Sequence, residues 1–270
     1  MSQRKKGTSK KQTNKHIKEE ILLHYEASDI SKSVFENFQY LSNKEKASIE
    51  SRFAKPKNPS QTRYLHCLNK QCNKIIIATG PAGTGKTLFG TEYGIKHFLM
   101  GKYEKLIFTR PAVSADEELG FLPGTLEEKM APWIRPIYDI LYKFISPTEV
   151  TQLIEDKIIE IAPLGYMRGR TFKNTWVVAD EMQNSIPTQM KMLLTRLGEG
   201  SRMVITGDLD QHDRHGEVNG LADFLEKFKG NRSNSIISVE FENADIQREE
   251  VIKEVLDIYA GVVPETYIES

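Results

Sequence analysis

Eight consecutive residues, Gly80, Pro81, Ala82, Gly83, Thr84, Gly85, Lys86 and Thr87, fit the spacing G-x-x-x-x-G-K-[ST]. Glycines at these positions let successive backbone N–H groups turn inward and form a nest for an anion. A helix starting where the loop ends adds its positive N-terminal end to the same place. A lysine here reaches the β- and γ-phosphates of a nucleoside triphosphate, and the hydroxyl after it serves Mg²⁺. The expected ligands are therefore ATP and Mg²⁺, held by Gly80–Thr87. A plain glycine-rich turn is the bland alternative, and the strand before the loop and the helix after it argue against it.

A second group of residues is acidic. Trp176-Val-Val-Ala-Asp180-Glu181 places two carboxylates at the end of an apolar strand. In a parallel sheet that end faces the same crevice as the phosphate loop. Asp180 is the expected Mg²⁺ partner, directly or through water. Glu181 is placed to orient the attacking water or take its proton, which favours hydrolysis over transfer to a small acceptor. Thr206-Gly-Asp-Leu-Asp-Gln211 ends the next strand. Gln211 both donates and accepts hydrogen bonds and suits contact with a γ-phosphate, and Asp208 suits support of the metal shell. Standing alone, each of these segments would read as a solvated polar turn.

The elements that must position these groups are visible as short apolar runs without alternation. They lie at Ile75–Ala78, Leu106–Thr109, Ile158–Ala162, Thr175–Ala179, Met203–Thr206 and near Ser235–Phe241. Helical spacing falls between most of them, over Lys86–Met100, Leu126–Phe144, Pro187–Arg196 and Val218–Phe228, with a last helix over Ile246–Tyr259. Unalternating strands separated by helices predict an α/β fold, a mostly parallel sheet with helices on both faces. The expected organisation is a basic, disordered tail over 1–15, a helical segment over 16–54, the α/β domain over 55–262 and a tail over 263–270. Residues 55–60 read as a linker, and Gln61–Asn69 as a short helix.

Composition supports a globular chain of 270 residues, 39% hydrophobic and 27% charged. No run approaches 18 apolar residues, so no membrane partner is expected. The N-terminus lacks an apolar stretch after its basic residues, and a cytoplasmic location is expected. Cys67 and Cys72 have no second cysteine pair and do not form a zinc pattern. The net charge is zero, yet Arg4, Lys5, Lys6, Lys10, Lys11, Lys15 and Lys18 precede any acid. Such a block is a solvated tail or an attractor for phosphate backbones.

Longer stretches carry a resemblance. Arg110-Pro-Ala-Val, Leu119-Gly-Phe-Leu-Pro-Gly124, Arg135-Pro-Ile-Tyr-Asp139, Met167-Arg-Gly-Arg-Thr-Phe172, Asp180-Glu-Met-Gln-Asn184 and Thr195-Arg-Leu-Gly198 look like the PhoH family of P-loop ATPases. Thr206–Gln211 is also similar to the G-D-x-x-Q motif of superfamily 1 helicases. The resemblance covers roughly residues 55–262. It implies a RecA-like core, ATP hydrolysis with Lys86, Glu181 and Gln211 as catalytic groups, and a role in RNA handling. It also implies that Gln61 recognises adenine and that Arg248 is an arginine finger. The sequence departs from the family pattern at His212-Asp-Arg-His-Gly216 and Ser114-Ala-Asp-Glu-Glu118, which leaves substrate preference open. The nuclease domain that some relatives carry is absent from the expectation, and compact forms of this kind resemble those of bacteriophages.

Two partner expectations follow. Superfamily 1 helicases close ATP between two RecA-like domains, and this chain has residues for one. An arginine supplied by a neighbouring subunit then implies a homo-oligomer, a ring of six in the simplest case. RNA or another single-stranded nucleic acid is expected from the basic tail and from Arg168 and Arg170. Those two arginines suit phosphate contact, or equally the holding of carboxylates or of the nucleotide site. Tyr166, Phe172 and Trp133 suit base stacking, or else the core. Three functions stand in order: an RNA-stimulated ATPase or helicase, a nucleotide-gated regulatory or assembly module without unwinding, and a P-loop kinase.

Overall fold

The computed structural model describes residues 41–112, 126–213, 216–230, 233–247 and 251, with the backbone alone at 126–132. Six strands form its centre: β1 (Ile75–Thr79), β2 (Lys105–Arg110), β3 (Ile159–Pro163), β4 (Thr175–Ala179), β5 (Arg202–Gly207) and β6 (Ile236–Glu240). Their order in the sheet is β3-β2-β4-β5-β1-β6, and every pairing is parallel. Each apolar run expected to be a strand is one. The helices are α1 (Asn43–Ser51), α2 (Pro59–Asn69), α3 (Lys86–Leu99), α4 (Leu126–Leu141), α5 (Pro147–Glu155), α6 (Pro187–Leu194) and α7 (Gly220–Phe228).

The two faces of the sheet explain the runs. Ile76 and Ala78 of β1, Leu106 and Phe108 of β2, Trp176 and Val178 of β4 and Val204 of β5 join one core with α2, α3, α4 and α5. Ile75, Ile77, Ile107, Val177, Ala179, Met203 and Ile205 point the other way, into a second core with α6 and α7. Because both faces are dry, neither parity of position carries polar residues, and period-2 alternation disappears. The tightest joint is between α3 and β4. Gly94 lets fully buried Trp176 lie against the helix, and the indole Nε1–H donates to Gly90 O at 3.0 Å.

One expected helix is shorter than its spacing suggests, and one helix was not expected. Leu126–Phe144 ends at Leu141, and α5 follows where no helix was expected. Its signal is Ser146-Pro-Thr-Glu149, a capping box with proline at the first helical position. Ser146 Oγ accepts from Glu149 N, and the Glu149 carboxylate accepts from Ser146 N. Within the expected helical segment 16–54, α1 lies in the described part. The basic tail, the loop at Ser114–Glu118 and most of the expected helix Ile246–Tyr259 lie outside the described residues, and that helix does not begin at Ile246, which is extended (ψ 122°) where it closes the 3₁₀ turn Asn243–Asp245.

A buried histidine sets an acid limit on stability. His97, on the last turn of α3, stacks on Tyr93 with ring centroids 4.0 Å apart. Its Nδ1 lies 2.9 Å from Tyr93 O, so that nitrogen carries the proton. Burial pushes the imidazole down to about 4, against the smaller opposing effect of that hydrogen bond. The unfolded chain then binds more protons than the folded one between the ordinary value of 6.5 and about 4. The stability from a neutral His97 is intact above that window and is lost as pH falls through it. His97→Phe should flatten the fall of Tm across this window, a difference on the order of 2 kcal/mol at its lower end; differential scanning calorimetry at a series of pH values checks it.

Candidate nucleotide site

The phosphate loop leaves β1 and enters α3 without a side-chain cap. Gly80, Gly83 and Gly85 all have positive φ, at 128°, 84° and 89°. At Gly80 a Cβ would stand 2.2 Å from Phe241 O, so this turn admits glycine alone. Among the described residues no acceptor takes the N–H groups of Gly83, Thr84, Gly85 or Lys86. Backbone N–H groups at a helix start suit an anion. Lys86, 8% exposed, folds back over the loop. Its Nζ donates to Gly80 O at 2.6 Å and Pro81 O at 2.7 Å. Desolvation holds the ammonium below its usual range, and Asp208, Asp180 and Glu181, in that order, oppose the shift. A phosphate would give this lysine the counter-charge that two carbonyls supply only in part.

Asp180 follows β4, one strand removed from β1 across β5. Its Oδ1 accepts from Thr87 Oγ1 at 2.8 Å and also from Thr206 Oγ1 of β5. A hydroxyl beside a carboxylate is a hard oxygen pair, the type that Mg²⁺ takes together with phosphates and water. Among the described residues no three His, Cys, Asp or Glu side chains cluster into a self-sufficient metal site. Thr87 and Asp180 fit a Mg²⁺ ion whose remaining ligands are phosphate and water oxygens. Thr206 was not singled out as a site residue, and nothing local in the sequence marks it, because its partner is 26 residues away.

Glu181 adopts a left-handed backbone, φ 52°, unusual for a residue with a side chain. The short 3₁₀ turn Met182–Asn184 follows. Gln183 Nε2 donates to the Glu181 carboxylate, and Gln183 Oε1 accepts from Asp208 N at 3.1 Å. Asp208 is buried, while Gln211 is exposed, with its N–H on Asp208 O at 3.1 Å. The loop Thr206–Gln211 is joined to the phosphate loop by Gly80 N donating to Gly207 O at 3.2 Å. Lys86, Thr87, Asp180, Glu181 and Asp208 thus share one end of the sheet.

Gln61 sits on α2 with 3% exposure. Its Nε2 donates to Thr84 O at 3.0 Å and its Oε1 accepts from Lys57 N at 2.7 Å. The structure brings it to the phosphate loop, as a brace with one N–H and one lone pair that take no partner among the described residues. Arg248 lies outside the described residues. Its neighbour Gln247 donates its N–H to Gly83 O at 3.0 Å.

The arginines of Met167–Phe172 separate. Arg170 forms a two-pronged ion pair with Glu160, one prong at 2.8 Å, and its guanidinium lies 5.4 Å from the centre of the Phe172 ring. Arg168 is exposed. Of the three aromatic residues, Phe172 is buried, Trp133 packs half-buried against the first core, and Tyr166 is 61% exposed.

Loop, acids and strand order define a P-loop protein with a RecA-like core. The PhoH-like protein family matches residues 54–260, and the chain belongs to that family. A PhoH-like protein of Bacillus subtilis (strain 168) is 43% identical over 204 residues, covering 75% of this chain and 63% of that one. A PhoH-like protein of Synechocystis sp. is 49% identical over 153 residues, covering 57% and 46%. The chain spans less than two thirds of the length of these relatives. The Pif1 helicase from Candida albicans aligns over 78% of this chain and 46% of its own, at 15% identity and a TM-score of 0.37. No helix among the described residues is long and apolar enough to cross a membrane.

Proposed function

We propose that this chain is a Mg²⁺-dependent ATPase that acts on single-stranded RNA. The observation that carries the proposal is the Thr87–Asp180 hydrogen bond beside Lys86 and the glycine-built loop that Lys86 folds over. Mg²⁺, when bound, supplies positive charge to the β- and γ-phosphate oxygens. Thr87 and Asp180 are the residues to hold it. The loop N–H groups bind the phosphates, Lys86 neutralises charge that develops on them, and Gln61 keeps a donor and an acceptor for adenine. Glu181 accepts the proton of the water that attacks the γ-phosphorus. A new P–O bond forms, the bond to the β-phosphate oxygen breaks, and ADP leaves. Gln211 on its exposed loop suits contact with the γ-phosphate, and Arg248 is the candidate for stabilising the transferred group from a neighbouring subunit. On that account the active form is a homo-oligomer, a ring of six in the simplest case, and light scattering with ATP present reads its mass. The reading places the chain in the cytoplasm, alongside its nucleotide and RNA.

The RNA part rests on Tyr166 and Arg168. Leu164 and Met167 are buried, and the Arg170–Glu160 pair pins the segment's far end. Tyr166 and Arg168 therefore project from an anchored segment, with an aromatic face for a base and a cation for a phosphate. Phosphate release should rise several-fold on adding single-stranded RNA and fall back as salt rises. Tyr166→Ala with Arg168→Ala should remove the increase and leave basal turnover. Turnover indifferent to RNA in the unaltered chain would favour a nucleotide-gated regulatory module.

A further inference from the structure

Gln183 has no part in the chemistry assigned above, yet it is 1% exposed and both ends of its amide are committed. Its Oε1 faces Asp208 N, a group that can only donate. The Nε2 side must then face the Glu181 carboxylate, a group that accepts. Among the described residues no other side chain donates to that carboxylate. An amide is the neutral side chain able to do both at this position. Leucine can do neither, and glutamate would set a like charge against Glu181.

The loop that Gln183 grips is held at further points. Gln183 O lies 2.8 Å from His212 Nδ1. Asn184 Nδ2 donates to Asp213 Oδ2 at 2.9 Å, and Asp213 N donates to Asn184 Oδ1 at 3.0 Å. Gly207 makes the approach possible, since a Cβ there would stand 2.9 Å from Gln183 Oε1 and 2.5 Å from Leu221. Residues 208–213, which carry Gln211, cannot shift without pulling on the turn that orients Glu181.

We infer that Gln183 is a positioning residue that fixes the Glu181 carboxylate and couples it to the position of the loop 208–213. The inference rests on the ATPase proposed above. When the loop moves, Oε1 loses its donor, the amide turns and Glu181 loses its only side-chain donor among the described residues. Water activation then depends on the state of the loop that carries Gln211.

The test is steady-state and single-turnover ATP hydrolysis by the full chain, with Gln183→Leu and, as an isosteric second variant, Gln183→Glu. Each should lower kcat at least about tenfold and change KM for ATP less than about threefold, in protein confirmed as folded at the assay temperature by circular dichroism. Combined with Glu181→Gln, either should cost less than about twofold more, because Gln183 acts through Glu181. Undiminished kcat in Gln183→Leu or Gln183→Glu overturns the inference, as does an equal loss in the Glu181→Gln background. Absence of turnover in the unaltered chain instead removes the ATPase reading beneath it.

Discussion

Glu181→Gln should lower the turnover of ATP by about 10²–10⁴-fold, the usual worth of a positioned base. Affinity for ATP should change little. The substitution keeps the shape of the side chain and removes the charge that takes the proton. The phosphate-binding groups, Lys86 and the loop N–H donors, are untouched, so only an interaction used in the transition state is lost. Single-turnover hydrolysis beside equilibrium binding of a fluorescent ATP analogue separates the two quantities. A parallel loss of binding would mean that Glu181 belongs to the nucleotide cradle and does not act on water.

The second large effect concerns the joint that carries the site. Thr87 and Asp180 meet at 2.8 Å because α3 and β4 lie close, and Gly94 sets that closeness. A Cβ at Gly94 would stand 2.2 Å from Trp176 Cδ1 and 2.4 Å from Nε1. Trp176 is fully buried and cannot retreat. Gly94→Ala should therefore cost about 3 kcal/mol, the upper part of the range for overpacking a core. In a domain of this size that lowers Tm by roughly 10 °C. Gly165→Ala is the matched control. Nothing lies within 4 Å of a Cβ there, and its Tm should stay within about 2 °C of the parent. Thermal unfolding followed by circular dichroism reads both.

These two effects also mark what sequence does and does not reveal. Ile75–Thr79 and Thr175–Ala179 are legible as strands because both their faces are buried, and burial leaves unbroken apolar runs. The phosphate loop is legible because its function is local: the glycines, the lysine and the threonine act within eight residues. The bond between Gln183 and Asp208 spans 25 residues, and that between Asn184 and Asp213 spans 29. Such pairings leave no periodic trace. Arg168 and Arg170 look alike in sequence, and only folding brings Glu160 to one of them. Helix α5 shows the opposite case, a short helix whose start is marked locally by the Ser146–Glu149 capping box.

The central claim is that this site turns over ATP. The direct measurement is phosphate release from ATP with Mg²⁺ by the purified chain, with Lys86→Ala beside it at equal concentration and confirmed folding. The account predicts release that needs Mg²⁺ and falls at least about a hundredfold in Lys86→Ala. Release by the parent that persists undiminished in Lys86→Ala, or no release with or without RNA, contradicts it.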